Sequence, residues 1–360
     1  MNIKHGIYIH IPFCLQKCNY CDFLSFEAYG AMDAYVNALL LEIQNTKVST
    51  PISTIYIGGG TPTALPSVLL CKVLDAVRAF PLTPGAEITV EANPGTLSRE
   101  YLSALKANGV NRLSIGLQTT HPHLLKAINR IHTMEDFLEN FHAARGLGFD
   151  NINVDLMFAL PGQTLACWHD TLQEIIALSP QHISAYSLTP AENTPLWDAL
   201  ESGALTLPCD RTDRKMYHLT RELLTNAGYT HYELSNFAKL GFESQHNIDC
   251  WLRVPYMAFG LGAHSFDGKT RRRNTENMHE YLAGRPPSDI EHLSETDTLS
   301  ETMILGLRLT EGILEKDIPQ IYATQVADLI AKGLLARQNG RALLTPLGMD
   351  LANQVFEVFV

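Results

Sequence analysis

No stretch of this 360-residue chain approaches the ~18 consecutive apolar residues that a membrane-spanning helix needs. The opening run MNIKHGIYIHIPF is apolar only briefly. His10 and Pro12 interrupt it and no small-residue cleavage site follows, so no targeting segment is expected and a cytoplasmic location is. Basic charge is also scarce. Lys and Arg number 27 against 38 Asp and Glu, a formal net charge of −11, which speaks against any general affinity for nucleic acid. There is no second C-x2-C pair with which to close a four-ligand structural zinc site, and no C-x-x-C-H run for covalent haem attachment. Internal repeats and low-complexity tracts are missing too.

Cysteine is present, in an uneven distribution. Of seven cysteines, Cys14, Cys18 and Cys21 crowd into Cys14-Leu-Gln-Lys-Cys18-Asn-Tyr-Cys21, a C-x3-C-x2-C spacing. An odd total in a long chain of this kind points to metal or redox chemistry rather than to a disulfide framework. Three thiolates can hold three irons of a cubane [4Fe–4S] cluster and leave the fourth iron free to chelate an amino-carboxylate ligand. Pro12 at the entry fits a loop wrapped around such a cluster. The competing readings are a zinc site, with His10 as a fourth ligand, or three unrelated thiols. Cys71, Cys167, Cys209 and Cys250 are scattered singly and read as small buried hydrophobes.

The first half alternates short β-rich runs (7–13, 54–58, 88–92, 112–118, 152–158, 183–188) with amphipathic helical stretches (32–46, 68–80, 99–108, 134–147, 166–178). Six strand–helix units in series imply parallel strands with right-handed crossovers. Every unusual segment directly follows a strand: the cysteines, then GGGTPT, EANP and Gln118. That placement favours an open barrel, a partial (β/α)6, whose loops form one mouth. Residues 1–190 are assigned to it. Residues 191–300, a mixed α/β segment with a helix near 211–227 and a strand near 230–237, are read as associated with the barrel. Residues 301–360 follow a helix, helix, hairpin, helix order that fits a winged-helix-like cap.

Other residues fall at the expected mouth. Gly59, Gly60 and Thr61 could bring backbone amides close to a ligand carboxylate, although three glycines also suit a plain tight turn. Glu91 could accept hydrogen bonds from a ribose or an ammonium group. Gln118, Arg130 and Asp155 complete the polar set. Asp155 lies in an apolar run and needs a partner, for which Arg130 is the candidate. Tyr8 and Tyr20 are expected to pack on a bound cofactor, with core packing the alternative for Tyr8.

The string YIHIPFCLQKCNYCDF resembles the radical S-adenosylmethionine superfamily, and within it relatives of oxygen-independent coproporphyrinogen III oxidase. The likeness continues through GGGTPT (58–63), EANPGTL (91–97), GVNRLSIGLQ (109–118), NRIHT (129–133), NINVDLMFALPGQT (151–164), YELSNFA (232–238) and GAHS (262–265). It implies a [4Fe–4S] cluster on Cys14, Cys18 and Cys21. It also implies S-adenosylmethionine near Tyr8, Tyr20, Gly59, Gly60, Thr61, Glu91, Gln118, Arg130 and Asp155.

Two departures narrow the resemblance. Phe23 stands where the oxidases carry a further cysteine, and the first strand begins at about residue 6, without their N-terminal extension. Both resemble the HemW-type branch, described as haem chaperones without oxidase activity. That branch carries an H-N-x-x-Y-W motif. Here it reads His246-Asn-Ile-Asp-Cys250-Trp251, with Cys250 replacing the tyrosine, and His246 is the candidate haem ligand. The expectation is therefore a haem chaperone that passes haem to an acceptor protein. One alternative is an oxidative decarboxylase of porphyrinogen propionates, which would need an electron donor such as flavodoxin or ferredoxin. The other is a metal-stabilised interaction module without catalysis.

Overall fold

The computed structural model describes residues 4–27, 29–285, 287 and 289–360. Six parallel strands follow one another as expected: β1 (His5–Ile11), β2 (Ile52–Gly59), β3 (Leu82–Ala92), β4 (Arg112–Gln118), β5 (Ile152–Phe158) and β6 (His182–Ser187). Each crossover carries a helix with one apolar stripe. In Met32–Asn45 that stripe is Met32, Tyr35, Val36, Leu39 and Ile43, the helical period of a face laid on a sheet.

Strand alternation explains why the two sheet faces differ. On β1, Ile7, Ile9 and Ile11 are fully buried against the helices, while Tyr8 and His10 point the other way. The same period turns Tyr56, Glu91, Ser114, Asp155 and Tyr186 to the inner face. The outer face is thus an isoleucine- and leucine-rich core, and the inner face is polar.

The sheet does not end with six strands. Among the described residues twelve strands form one sheet, with β7 (Thr230–Glu233), β8 (Asn236–Ala238), β9 (Tyr256–Phe259), β10 (His264–Phe266), β11 (Thr270–Arg273) and β12 (Asp289–His292) added at its two edges. β9 lies parallel to β1, with Gly6 opposite Tyr256 and Tyr8 opposite Ala258; β10, β11 and β12 continue antiparallel beyond it. The single strand expected near 230–237 is a hairpin, β7 and β8. The chain reverses at Leu234-Ser235, where the Ser235 amide donates to Glu233 Oε1 at 2.9 Å.

Residues near the C-terminus build a second small core from Met303, Leu307, Val326, Leu329, Leu344, Val355 and Phe359. Around it run helices Glu295–Gly306, Ala323–Ala331 and Ala352–Glu357. A small antiparallel sheet of β13 (Ile313–Leu314), β14 (Leu335–Gln338) and β15 (Arg341–Leu344) joins them. The β14–β15 turn has positive φ at both Asn339 and Gly340, the backbone that Asn-Gly supplies in tight hairpins.

One hydroxyl ties the late strand to the first. The buried Tyr35 hydroxyl donates to His10 O at 2.6 Å and accepts from the Leu261 amide at 3.1 Å. Nearby, Gly260 (φ +105°) passes so close to β1 that a Cβ would lie 2.5 Å from His10 O. Tyr35→Phe would leave a buried carbonyl and a buried amide without their partner. It is expected to lower unfolding stability by about 1–3 kcal/mol, read as a shift of the urea midpoint at unchanged m-value.

Candidate functional site: a three-cysteine loop over a polar barrel cavity

The carboxyl ends of the six parallel strands converge on a cavity of about 540 Å³. Cys14, Cys18, Cys21, Tyr20, Gly59, Gly60, Thr61, Glu91, Gln118, Arg130 and Asp155 all line it. The residues singled out in the sequence are therefore gathered at one place, with two exceptions, Tyr8 and His246.

The cysteine loop is held by its neighbour strand. The Gly60 amide donates to Ile11 O at 2.9 Å and the Thr61 amide to Phe13 O at 2.7 Å, so the parallel pairing of β1 and β2 runs on into the two loops. On the far side the Cys14 amide donates to Phe26 O at 3.0 Å. Gly60 must be glycine, because a Cβ there would lie 2.7 Å from Phe13 O and 3.0 Å from Cys14 Sγ. Gly59, at φ +116°, has the His10 ring 2.7 Å from where its Cβ would be. This revises the role expected of the triple glycine. The amides of Gly59, Gly60 and Thr61 are spent within the protein, the first on Glu91 Oε2 at 3.2 Å, and are not free for a ligand carboxylate.

The donor set fits a cluster better than a single ion. Three thiols border one cavity, yet among the described residues no three Cys, His, Asp or Glu side chains surround a common point as ligands of one zinc would. Thr61 Oγ1 donates to Cys14 Sγ at 3.6 Å, the kind of hydrogen bond that tunes a cluster thiolate. Burial, with the neighbouring Cys18 and Cys14 sulfurs adding to it, pushes the Cys21 thiol up to about 11. Iron binding must therefore displace its proton. His10 is not a fourth ligand, since its ring nitrogens meet the Tyr8 hydroxyl at 3.0 Å and Leu24 O at 2.8 Å.

Asp155 and Arg130 do not pair. Asp155 accepts from Ser114 Oγ at 2.9 Å and Asn153 Nδ2 at 2.9 Å. Arg130 donates from Nη1 to Asn93 Oδ1 at 2.9 Å and from Nη2 to Gly116 O at 3.1 Å, while its buried Nε has no partner among the described residues. The reason is position: β5 hands Asp155 to its neighbours on the same sheet face, and Arg130 enters from the loop after β4. Gln118 closes β4 at φ 72°, beside a register shift, and accepts from the Tyr186 hydroxyl at 3.2 Å. Glu91 accepts from the Tyr56 hydroxyl at 2.6 Å; burial raises its carboxyl to about 7 despite that bond.

Sequence reasoning missed Asn93, which joins Thr61 Oγ1 (2.7 Å) to Arg130. Its place two residues after Glu91 was the available signal. Tyr56, Ser114 and Tyr186 were visible only through the two-residue strand period. Tyr8 lies elsewhere. It stands three rungs below the Gly59 level and faces a second, lateral cavity of about 570 Å³, together with His10, His246, Cys250, Tyr256 and His264. Lys17, Asp22 and Phe23 of the cysteine loop line both cavities.

A profile of the Radical SAM superfamily matches residues 8–175, and one of the HemN C-terminal domain matches residues 293–351. The chain is 38% identical to the heme chaperone HemW of Bacillus subtilis (strain 168), over 98% of each chain. It is 35% identical to that of Escherichia coli (strain K12), over 99% of this chain and 98% of the relative. The chain belongs to the HemW family. Its place in the radical SAM superfamily implies a [4Fe–4S] cluster and S-adenosylmethionine as cofactors. Among solved structures, the radical SAM enzyme coproporphyrinogen III oxidase (HemN) of Escherichia coli superposes with a TM-score of 0.85. The match covers 99% of this chain and 90% of that one at 23% identity, a likeness of fold.

Two outcomes test this geometry. Gly60→Ala is expected to fold but to lose most of its iron on anaerobic reconstitution, measured as iron and sulfide per chain. For the cofactor-free protein, Glu91 stays protonated in the native state up to about pH 7, whereas the unfolded carboxyl ionises near its ordinary value of 4.5. The native state then binds more protons between those limits, so its stability should fall as pH rises from about 4.5 to about 7. Glu91→Gln should flatten that fall in a Tm-versus-pH series.

Proposed function

We propose that this chain is a haem chaperone: it binds haem and passes it to an acceptor protein, with the cluster and S-adenosylmethionine as resident cofactors. The observation that carries this reading is near-full-length similarity to proteins named heme chaperone HemW in several bacteria. Among the described residues no helix is long and apolar enough to cross a membrane, which is compatible with work in the cytoplasm.

In this reading residues 1–190 form the cofactor-holding unit. Cys14, Cys18 and Cys21 would hold the cluster, and Tyr20, Gly59, Gly60, Thr61, Glu91, Gln118, Arg130 and Asp155, which line the same cavity, would enclose S-adenosylmethionine. The cluster, when bound, supplies one electron and a coordination site. The chain's own part is to exclude water, to keep Glu91 and Asp155 hydrogen-bonded, and to fix the cofactor's polar groups. Residues 191–300 add the far wall of the lateral cavity, and residues 301–360, which carry a small core of their own, are available for partner contact.

The lateral cavity is the proposed haem site, with His246 as an iron ligand. His246 is held by a 2.9 Å hydrogen bond between Nδ1 and Thr54 Oγ1 and stacks on Tyr56, while Nε2 has no hydrogen bond among the described residues. Burial, then the Arg112 charge, lowers its pKa to about 4, so the ring is neutral and able to ligate at neutral pH. Cys250 is a poorer ligand, because burial pushes its thiol up to about 12. Phe23, where the oxidases have cysteine, removes support for decarboxylase chemistry.

The test is haem titration of anaerobically reconstituted protein followed by gel filtration. A Soret band should travel with the protein and pass to an apo-haem protein. A protein fraction without that band overturns the reading. His246→Ala should retain its cluster and weaken haem binding by tenfold or more, about 1.4 kcal/mol.

A further inference from the structure

Three histidines line the lateral cavity, and their hydrogen bonds separate them. His10 is committed at both ring nitrogens. His246 keeps Nε2 free. His264 has no hydrogen bond at either nitrogen among the described residues and is exposed to solvent from β10. An exposed, unpartnered imidazole on the wall of a cavity of this size is available to a ligand.

The sheet places it. β10 pairs with β9 at Phe266 and Tyr256; beyond that rung Ser265 Oγ accepts from the Ala258 amide at 2.9 Å and donates to Ala258 O at 3.3 Å, which holds the start of β10 beside Ala258. Ala258 pairs with Tyr8, and Tyr8 and His264 line the same cavity. The strand residue beside Tyr8 is alanine, which adds no bulk to that cavity. His246 approaches from below: its Cε1 lies 3.5 Å from where a Cβ on Gly6 would be, two residues down β1 from Tyr8. His246 and His264 thus reach one cavity from different elements, the helix Gln245–Trp251 and β10, with Tyr8 and Tyr256 on the wall between them. The intervening walls, Tyr8, Tyr256 and Phe23, are aromatic, suited to a flat macrocycle.

We infer that His264 supplies a second axial ligand to haem iron in the lateral cavity, across the macrocycle from His246. This rests on the chaperone reading. Neither imidazole changes oxidation state or gives up a bond; each lends a nitrogen lone pair to the iron, and release requires only that one of the two let go. His264, on the solvent-facing wall, is the ligand that an acceptor's own ligand can displace.

The experiment uses the full chain with its cluster reconstituted and ferric haem added, followed by absorption and electron paramagnetic resonance. Wild type should give a six-coordinate low-spin spectrum. His264→Ala should shift to five-coordinate high spin, return to low spin on addition of free imidazole, and lose haem faster to an apo-haem acceptor. His169→Ala, an exposed histidine outside both cavities, should behave as wild type. Circular dichroism and iron content of the His264 variant should match wild type, which separates ligation from misfolding. If wild type binds haem but is already high spin, or if His264→Ala stays low spin without imidazole, the inference fails and the chaperone reading survives. If wild type takes up no haem, the chaperone reading itself fails.

Discussion

The site depends on how closely two backbones can approach. Gly60 lies so near Phe13 and Cys14 that a single methyl group would collide with both. Because it has none, the hydrogen-bonded pairing of β1 and β2 continues past the ends of the strands and into the cysteine loop. A loop with three thiols and no regular structure would otherwise pay a large conformational entropy to converge on one cavity. Here two amide hydrogen bonds, and a third from Cys14 to Phe26, take over part of that ordering. Thr61 extends the same contact to the Cys14 sulfur, and Asn93 links Thr61 to Arg130, so the loop, the glycine turn and the deep cationic wall form one connected unit.

The inner face shows the opposite strategy from the outer. Outside, isoleucine and leucine pack without polar atoms. Inside, the two carboxyl groups on the strands have donors: Tyr56 and the Gly59 amide for Glu91, Ser114 and Asn153 for Asp155. Burying such groups is costly unless each is satisfied, and satisfying them with neutral donors leaves the cavity ready for a charged cofactor without a competing ion pair. The lateral cavity is separated from this one by Lys17, Asp22 and Phe23, residues of the very loop that carries the cluster cysteines. One wall, within Lys17 to Phe23, therefore serves two compartments.

Much of this was legible in the sequence. The strands 112–118 and 152–158 and the gathering of polar motifs behind strand ends all follow from periodicity and motif order, because a parallel strand–helix repeat leaves few topologies. What was not legible is instructive. Asp155 was assigned to Arg130 because both are charged and both follow strands; the actual partners, Ser114 and Asn153, lie on the same sheet face one strand period below, a property of register and not of charge. The glycine amides were read as ligand donors because their role in clamping the loop requires knowing that β1 and β2 are neighbours. Tyr8 was expected to pack on a cofactor beside Tyr20, whereas the strand carries it three rungs below Gly59, where it lines the lateral cavity. Nothing in local pattern announced that His264 would line one cavity with Tyr8 or that residues 256–259 would pair with β1.

That last pairing has a cost in time. β1 lies between β2 and β9, so one of its two neighbours is about 250 positions away along the chain. Contacts of such sequence separation close slowly, because the intervening loop must be gathered first. The strand that leads into the cysteine loop is thus among the latest to be flanked on both sides. Its pairing with β2 needs only about the next 50 residues, so the loop is braced from that side first and the β9 edge closes last.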